Sequence, residues 1–403
     1  MNNLNRLNQQ SKNWKSKRKI LLGISGGIAA YKIPYLVREI RKLNCEVEII
    51  MTDSAKNFVT PMTLSTLSGR KVFTDSDFDF TIPHVNLTQW AEIFVVAPCT
   101  ANTLGKFANG ISDNLLTSAF TAANIPVIVF PAMNENMFDN PSTQKNLEIL
   151  SKRGVTVVNP SYGDLACGIS GRGRMPEPDE IMKEVLRVLS PVHDMAGKKI
   201  LITAGPTHEY IDPVRYISNP SSGKMGVAMA RSAWYRGAEI KIIAGSVEID
   251  SYGFEVIKVK SALEMFEAVK NNFQWADYIV MAAAVGDYRA KEFHSHKIKR
   301  EGKGDFILEL TQNPDIAAEI GKIKNDKILI GFAAETQNLI ENAVSKLERK
   351  NLDYILVNDV LAENSGFQSD FNTLRLIDRD KNEFLFSGLK EDIAFEVWGN
   401  VIR

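Results

Sequence analysis

The sequence predicts an α/β protein with two doubly wound domains, each built on a mainly parallel sheet. Short apolar runs of strand length alternate with segments of helical periodicity in both halves of the chain. Each half opens with an apolar run that leads into a glycine turn, at residues 19–28 and 199–207. The chain has 403 residues, more than one ordinary hydrophobic core holds, so we expect two domains.

The alternation of strands and helices can be followed segment by segment. In the first half the predicted strands are 19–23, 47–51, 93–97, 127–130 and 155–158, with helices at 31–43 and 141–153. In the second half the predicted strands are 199–203, 240–244, 278–282, 327–331 and 354–357. Strands joined by helices pair in parallel through right-handed crossovers. Ligands bind such sheets beyond the carboxyl ends of the strands, and the motifs described below follow strand ends.

A polar segment that contains proline and glycine, residues 190–197, separates the two halves. It predicts a first domain over residues 18–190 and a second over residues 191–403. Residues 1–17 are rich in Asn, Lys and Ser and lack an apolar core, so we expect a disordered extension and no signal peptide.

Composition narrows the class of protein. The 48 basic and 48 acidic residues balance, which predicts no partner among nucleic acids or anionic membranes. No apolar run approaches the roughly 20 residues that span a bilayer. Three widely spaced cysteines argue against a disulfide framework and for a reducing compartment. We therefore expect a cytoplasmic protein in which Cys45 and Cys99 are small buried residues.

A loop of small residues, Ser25-Gly26-Gly27-Ile28, joins the first strand to a helix. The backbone N–H groups of such a loop can approach a phosphate at the positive end of the helix. The G-x-G-x-x-G pattern of dinucleotide sites is absent. The residues alone leave two interpretations open, a phosphate-binding loop and a tight strand–helix turn.

Three later segments carry groups suited to binding or to motion. Small hydroxyl and amide side chains occupy residues 97–103, and polar side chains occupy residues 131–137, each directly after a predicted strand. Glycines surround Cys167 in residues 166–175, which predicts a mobile flap.

The first half carries four motifs in the order of one enzyme family. They are SGGIAAYK at 25–32, His84 ahead of WAE at 90–92, PAMN at 131–134, and CG at 167–168 ahead of GRM at 173–175. Together they resemble phosphopantothenoylcysteine decarboxylases, which are flavodoxin-like flavoproteins. The resemblance implies FMN as cofactor. In this family FMN oxidises the substrate thiol to a thioaldehyde, whose C=S group accepts the electrons of decarboxylation before the enethiolate is reduced back.

The same resemblance implies roles for individual residues. His84 would take the thiol proton or orient the carboxylate, and Asn134 would bind the substrate carboxylate and amide. Cys167 would donate the proton that quenches the enethiolate. A lone histidine or cysteine is more often structural, and the surrounding motifs are what favour a functional interpretation. The expected FMN contacts are Gly26, Gly27, Ile28, Ser54, Thr100, Ala101, Asn102, Thr103 and Ala132.

In the second half, Ser221-Ser222-Gly223-Lys224 stands before an apolar helix. It lacks the upstream glycine and the final Ser or Thr of a P-loop, so we exclude a Walker ATPase. Hydroxyls, glycine and lysine at a helix start still suit anions. Lys346 and Lys350 lie one turn apart on a predicted helix, where they would either complement a triphosphate or form a solvated charged face.

Later motifs of the second half resemble phosphopantothenate–cysteine ligases. They are Asn219 with SSGKMG at 221–226, AA at 282–283 with DYR at 287–289, KIK at 297–299 and GFAAET at 331–336. The resemblance implies a Rossmann-like domain that activates phosphopantothenate with CTP as an acyl-cytidylate, which Asn219 would hold for attack by cysteine. Mg²⁺ would bridge the triphosphate. The expected CTP contacts are Asp287, Lys297, Pro314, Asp315, Ile316, Ala317, Phe332, Lys346 and Lys350, with Lys224 as a further phosphate contact.

Fusion of the two families in this order predicts a bifunctional, homo-oligomeric coenzyme A biosynthesis enzyme whose substrates are small molecules. One alternative is a flavin-dependent peptidyl-cysteine or small-acid decarboxylase with a vestigial second domain. The intact motifs around Asn219, Asp287 and Lys297 argue against it. Another is a regulatory subunit like the halotolerance-type phosphatase inhibitors. The sequence lacks their acidic tail and retains His84, Asn134 and Cys167.

Overall fold

The computed structural model describes residues 14–77, 81–164, 170–249, 252–299, 306–335, 338–359 and 369–402. The chain divides into two compact units that meet between Pro191 and Val192. Residues 1–13 of the predicted extension lie outside the described residues. Residues 14–17 differ from the prediction, because Trp14 is buried and the Cys45 thiol lies 3.5 Å from the Lys15 carbonyl oxygen.

The first unit is built on a six-stranded parallel sheet. Its strands are β1 (Lys19–Ile24), β2 (Glu46–Met51), β3 (Val72–Phe73), β4 (Ile93–Cys99), β5 (Val127–Pro131) and β6 (Thr156–Val157). They pair in the order β3-β2-β1-β4-β5-β6. Every residue of β4 is buried, as expected of a central strand with helices on both faces. A short antiparallel hairpin follows, formed by β7 (Ser161–Asp164) and β8 (Ser170–Arg174).

Eight helices surround this sheet within the described residues. They are α1 (Ile33–Lys42), α2 (Pro61–Ser68), α3 (Pro83–Trp90), α4 (Ala101–Asn109), α5 (Leu115–Ala122), α6 (Glu135–Phe138), α7 (Pro141–Lys152) and α8 (Pro178–Val188). The predicted helix at 31–43 begins later than expected, because Ile28–Lys32 forms a tighter 3₁₀ turn. Pro34 then occupies the first turn of α1, where its missing N–H leaves no hydrogen bond unmade.

The second unit contains an eight-stranded sheet and two small two-stranded sheets, β10-β11 and β15-β16. Its strands are β9 (Lys199–Ala204), β10 (His208–Tyr210), β11 (Tyr216–Ser218), β12 (Glu239–Ala244), β13 (Glu255–Lys258), β14 (Tyr278–Met281), β15 (Tyr288–Ala290), β16 (Leu310–Gln312), β17 (Ile328–Glu335), β18 (Tyr354–Asp359), β19 (Phe371–Asp378) and β20 (Glu383–Leu389). The large sheet has the order β13-β12-β9-β14-β17-β18-β19-β20. Its first six strands are parallel and the last two are antiparallel. The fold class predicted from the sequence is confirmed in both units.

Helices cover both faces of the large sheet. They are α9 (Lys224–Tyr235), α10 (Ala262–Asn272), α11 (Ile316–Ile323), α12 (Leu339–Arg349) and α13 (Lys390–Val401). Side chains of α10, α11 and α12 form one apolar cluster with one face of the sheet. Helices α9 and α13 pack together on the other face, where the Trp398 indole donates a hydrogen bond to the Met229 carbonyl at 2.9 Å. No helix in the described part of the chain has the length and apolarity to cross a membrane.

Candidate functional sites

In the first unit, the loops after β1 and β4 are joined at the carboxyl end of the sheet. The strand order reverses between these two strands, which is where doubly wound sheets form their binding crevice. The Ser25 hydroxyl is buried there, donates to the Pro98 carbonyl at 2.7 Å and accepts from the Thr100 N–H at 2.9 Å. These two bonds fix the predicted glycine loop against the start of α4.

The two glycines of this loop have different surroundings. A Cβ at Gly26 would lie 2.3 Å from the Ser54 hydroxyl, so the loop after β2 leaves room only for glycine. A Cβ at Gly27 would make only an ordinary contact with Thr100, at 3.5 Å. Tight packing therefore explains why position 26 is a glycine, but it does not explain the glycine at position 27. Four of the predicted FMN contacts, Gly26, Gly27, Ser54 and Thr100, come together here.

The segment from Thr100 to Thr103 is the cap and first turn of α4. The Thr100 hydroxyl accepts a hydrogen bond from the Thr103 N–H at 3.3 Å, as an N-cap residue does. Asn102 is exposed and Ala101 is half-buried, whereas Thr103 is buried. Thr103 therefore packs in the interior, whereas the Asn102 side chain is accessible at the surface.

Asn134 lies between β5 and α6, next to the β7–β8 hairpin. Its side-chain oxygen accepts the Asn136 N–H at 2.9 Å, which caps α6. The preceding Met133 N–H donates to the Gly173 carbonyl at 3.1 Å, and Glu135 accepts the Arg172 N–H at 3.0 Å. The described part of the predicted flap is therefore a strand fixed to the Asn134 loop. Cys167, its predicted proton donor, lies outside the described residues.

Ala132 and His84 lie on separate elements of the same unit. The Ala132 N–H donates to the Cys99 carbonyl at 3.1 Å, which places Ala132 where β5 leaves β4. His84 is half-buried in the first turn of α3. Because α3 connects β3 to β4, its first turn lies toward the carboxyl edge of the sheet.

Lys32 belongs to the first motif, and no role was predicted for it from the sequence. Its side chain is buried, and its ammonium donates to the Met175 carbonyl at 3.1 Å and to the Glu177 carboxylate at 2.7 Å. Burial opposes ionisation of Glu177, but hydrogen bonds from Lys32 and Arg174 outweigh it and lower the pKa of this carboxyl. Lys32 thus connects the glycine-loop turn to the chain that follows β8.

In the second unit, a cavity of about 540 Å³ opens at the carboxyl ends of β9, β14, β17 and β18. The strand order reverses between β9 and β14, so the cavity occupies the expected crevice. It brings together every residue predicted for the ligase reaction except Lys297. These lining residues are Asn219, Asp287, Pro314, Asp315, Ile316, Ala317, Phe332, Lys346 and Lys350.

Hydrogen bonds fix Asn219 to the end of β14. Its side-chain amide donates to the Ala284 carbonyl at 3.4 Å and to the Val285 carbonyl at 3.2 Å. The Thr207 hydroxyl accepts the Gly286 N–H at 2.9 Å, which joins the loops after β9 and β14. Gly223, at the N-cap of α9, has φ 71, and this left-handed conformation favours glycine.

Lys350 is held within the cavity wall by Asp315. The Lys350 ammonium lies 2.9 Å from the Asp315 carboxylate, and its side chain is 21% exposed. Asp315 also caps α11 by accepting the Ala318 N–H at 3.1 Å. Of the two interpretations left open for Lys346 and Lys350, lining of a binding cavity fits this geometry and a freely solvated face does not.

Lys297 lies apart from the cavity, on a segment bound to the β10–β11 hairpin. The fully buried Asp212 accepts the Ile298 N–H at 3.2 Å, and the Arg215 guanidinium donates to the Ile298 carbonyl at 2.8 Å. Burial opposes ionisation of Asp212, but the guanidinium and backbone N–H donors hold its pKa well below the usual range. Asp212 therefore positions the Lys297 segment, and nothing in its spacing predicts this.

Lys224, the further phosphate contact suggested by the sequence, also lines the cavity. The structure adds Asn372 and Lys390, which the sequence did not suggest. Lys390 is the first residue of α13 and is buried, with its ammonium 2.5 Å from the Ser369 carbonyl. No cluster of three His, Cys, Asp or Glu residues suited to a metal ion occurs among the described residues.

Comparisons with known proteins assign both units. Residues 8–190 match the family described as Flavoprotein, and residues 195–403 match the DNA/pantothenate metabolism flavoprotein C-terminal domain. The coenzyme A biosynthesis bifunctional protein CoaBC of Bacillus subtilis (strain 168) is 41% identical over 391 residues, which cover 95% of this chain and 96% of the relative.

Solved structures resemble each half separately. The C-terminal domain of a CoaBC protein is 36% identical, with a TM-score of 0.45, and covers 52% of this chain and 96% of its own. A cysteine-to-serine mutant of PPC decarboxylase, complexed with pantothenoylaminoethenethiol, is also 36% identical, with a TM-score of 0.39. It covers 42% of this chain and 96% of its own.

A flavoprotein unit followed by a doubly wound unit with a ligand-sized cavity defines a two-unit flavoprotein of pantothenate metabolism. The chain belongs to the CoaBC family of bifunctional coenzyme A biosynthesis proteins. The family resemblance derived from the sequence motifs is therefore confirmed in both halves.

Proposed function

We propose that the second unit joins 4′-phosphopantothenate to cysteine with CTP, and that the first unit decarboxylates the product to 4′-phosphopantetheine with FMN. The observation that carries the ligase assignment is the single cavity that collects Asn219 and the predicted nucleotide contacts. A vestigial second domain would have no reason to keep Asn219 hydrogen-bonded at a cavity of this size.

In the ligase reaction, the cavity residues bind and orient the reactants. Asp287, Phe332, Lys346, Lys350 and residues 314–317 contact CTP, and Asn219 holds the acyl-cytidylate for attack by cysteine. Mg²⁺ would take its ligands mainly from the triphosphate and would neutralise part of its charge. Lys297 contacts CTP from the segment that Asp212 positions.

The first unit fits the phosphate end of FMN. Gly27 lacks a packing reason to be glycine, and its backbone lies beside Thr100 at the start of α4. The N-terminal amides of a helix favour a phosphate at such a position. FMN would be held here by Gly26, Gly27, Ile28, Ser54 and residues 100–103, with Ala132 against the flavin ring, and it supplies the two-electron oxidation and reduction of the substrate.

Protein side chains supply binding and proton transfer in the decarboxylation. Asn134 binds the substrate carboxylate and amide through its acceptor and donor groups. His84 accepts the thiol proton as a general base. Cys167 returns a proton to the decarboxylated product.

Homo-oligomeric assembly, a cytoplasmic location and small-molecule substrates without a nucleic-acid or membrane partner stay predictions. Gel filtration with light scattering tests the first of them on the full-length protein.

The decisive test of the ligase assignment is pyrophosphate release by the full-length protein with each nucleoside triphosphate in turn. Release is expected with CTP and Mg²⁺, and only when 4′-phosphopantothenate is present. Absence of release with all of the triphosphates contradicts the ligase assignment. Release with ATP alone contradicts the assignment of CTP and leaves the reaction class intact.

Replacing Gly26 with alanine is expected to produce protein without FMN, because the new methyl group would collide with Ser54 and displace the loop. Gly105→Ala in α4 is a matched control, since a Cβ there meets only the Asn146 side chain at 3.5 Å. The flavin-to-protein ratio from the absorption spectrum is the measurement. A yellow Gly26→Ala protein with full flavin content would show that this loop does not hold FMN.

A further inference from the structure

The cavity of the second unit extends over both faces of the sheet. Gly331 and Val357 face the cluster formed by α10, α11 and α12, since a Cβ at Gly331 would meet Leu352 of that cluster. Successive residues of a strand point to opposite faces, so Phe332 and Asn358 face α9 and α13. The cavity therefore has one side at Lys346 and Lys350 and a second side next to the antiparallel β19–β20 hairpin. We call this second side the hairpin side, and it is formed by Lys224, Phe332, Asn358, Asn372 and Lys390.

The hairpin side concentrates positive charge. Lys224 and Lys390 are the first residues of α9 and α13, helices of 12 residues each, whose positive ends therefore meet at this wall. Lys390 is 6% exposed, and Asn372 beside it is 5% exposed. Burial and the nearby Lys224 charge both lower the pKa of Lys390. A buried ammonium next to a second ammonium is costly unless an anion accompanies them.

Asp370 supplies an anion to this wall. Its carboxylate lies 2.7 Å from the Lys224 ammonium, and the hydrogen bond from Lys224 lowers the pKa of Asp370. The Asp370 side chain is 74% exposed. An exposed pair of this kind contributes little to stability, so a multiply charged ligand can replace the carboxylate.

We propose that Lys390, together with Lys224, binds the two terminal phosphates of the nucleoside triphosphate, and that Asp370 occupies the position of a phosphate when no nucleotide is bound. The inference rests on the proposed ligase function. A carboxylate oxygen of the acid substrate forms the bond to the α-phosphorus, and the bond from that phosphorus to the bridging oxygen breaks. The bridging oxygen leaves with the electron pair as part of pyrophosphate, whose growing charge the two ammonium groups stabilise.

Binding of three probes to the full-length protein tests this assignment, with CTP, CMP and inorganic pyrophosphate titrated separately by calorimetry. Lys390→Met is expected to weaken CTP and pyrophosphate at least about tenfold and to leave CMP unchanged, because CMP lacks the terminal phosphates. Lys381→Met is the matched control, since Lys381 lies in the turn between β19 and β20 and its side chain is 63% exposed. It should bind all three probes normally.

Each of the other possible binding results contradicts one specific claim. Wild-type protein that binds neither CTP nor pyrophosphate contradicts the proposed ligase function itself. Normal CTP and pyrophosphate binding by Lys390→Met, or an equal loss for CMP, contradicts the assignment of Lys390 alone. Asp370→Asn provides a second variant that keeps the fold, because this side chain is mostly exposed. It is expected to bind pyrophosphate several-fold more tightly, and unchanged affinity contradicts the role of Asp370 as the internal anion.

Discussion

Replacing Asn219 with aspartate is expected to abolish ligation, at least about 100-fold, while decarboxylation of added phosphopantothenoylcysteine stays at the wild-type rate. The amide of Asn219 donates to the carbonyl oxygens of Ala284 and Val285. A carboxylate cannot donate, so it would turn away from these two acceptors. It would also place a negative charge beside the phosphoryl group of the acyl-nucleotide. Pyrophosphate release and CO₂ release, measured on the same protein, separate the two activities.

Asn325→Asp is the control for this substitution. Asn325 is exposed in a left-handed turn with φ 51, a conformation that aspartate also adopts. Both activities of this control should be normal. A normal ligation rate in Asn219→Asp would show that the side-chain amide takes no part in the reaction.

Replacing His84 with asparagine is expected to abolish reduction of the flavin by phosphopantothenoylcysteine, with FMN still bound. Asparagine preserves a polar side chain of similar size but cannot accept the thiol proton, and loss of such a base typically costs about 10²–10⁴-fold in rate. Bleaching of the flavin absorbance under anaerobic conditions measures the step directly. Ligation by the second unit should be unaffected.

His193→Asn, at an exposed position near the start of the second unit, is the matched control for His84→Asn. Loss of flavin from His84→Asn would assign this residue to cofactor binding or to structure. Flavin reduction at the wild-type rate would remove His84 from the chemistry altogether.

The sequence predicted the central parallel strands well, because buried central strands are continuous apolar runs, but it missed the edge strands β3 and β13. The run at 93–97 corresponds to β4 and the run at 327–331 to β17, each with its carboxyl end at a binding loop. Once these ends are known, sheet geometry brings their loops together. The family resemblance implied that Asn219, Asp287 and Pro314 share one site, and sheet geometry explains why residues so far apart in sequence line one cavity.

Several residues of the two units were missed for a physical reason. The strands β19 and β20 are partly exposed and pair in antiparallel fashion at the end of the sheet. A pattern of buried strands joined by crossover helices does not include them. Lys390 follows that hairpin and becomes a cavity residue only through it. Lys32 and Asp212 were missed because their partners, Glu177 and Ile298, are distant in sequence and known only from the fold.

The antiparallel β19–β20 hairpin also determines how the cavity of the second unit can vary by substitution. A sheet that stopped at β18 would retain Lys346, Lys350 and residues 314–317 but would lose the wall that carries Asn372 and Lys390. Two separate stretches of chain therefore form two sides of one cavity. On the proposed function, substitutions after residue 369 should alter how firmly the departing pyrophosphate is retained, whereas substitutions in α11 and α12 should act on the other side of the cavity. The two sides of the cavity can then vary independently, because each belongs to its own stretch of chain.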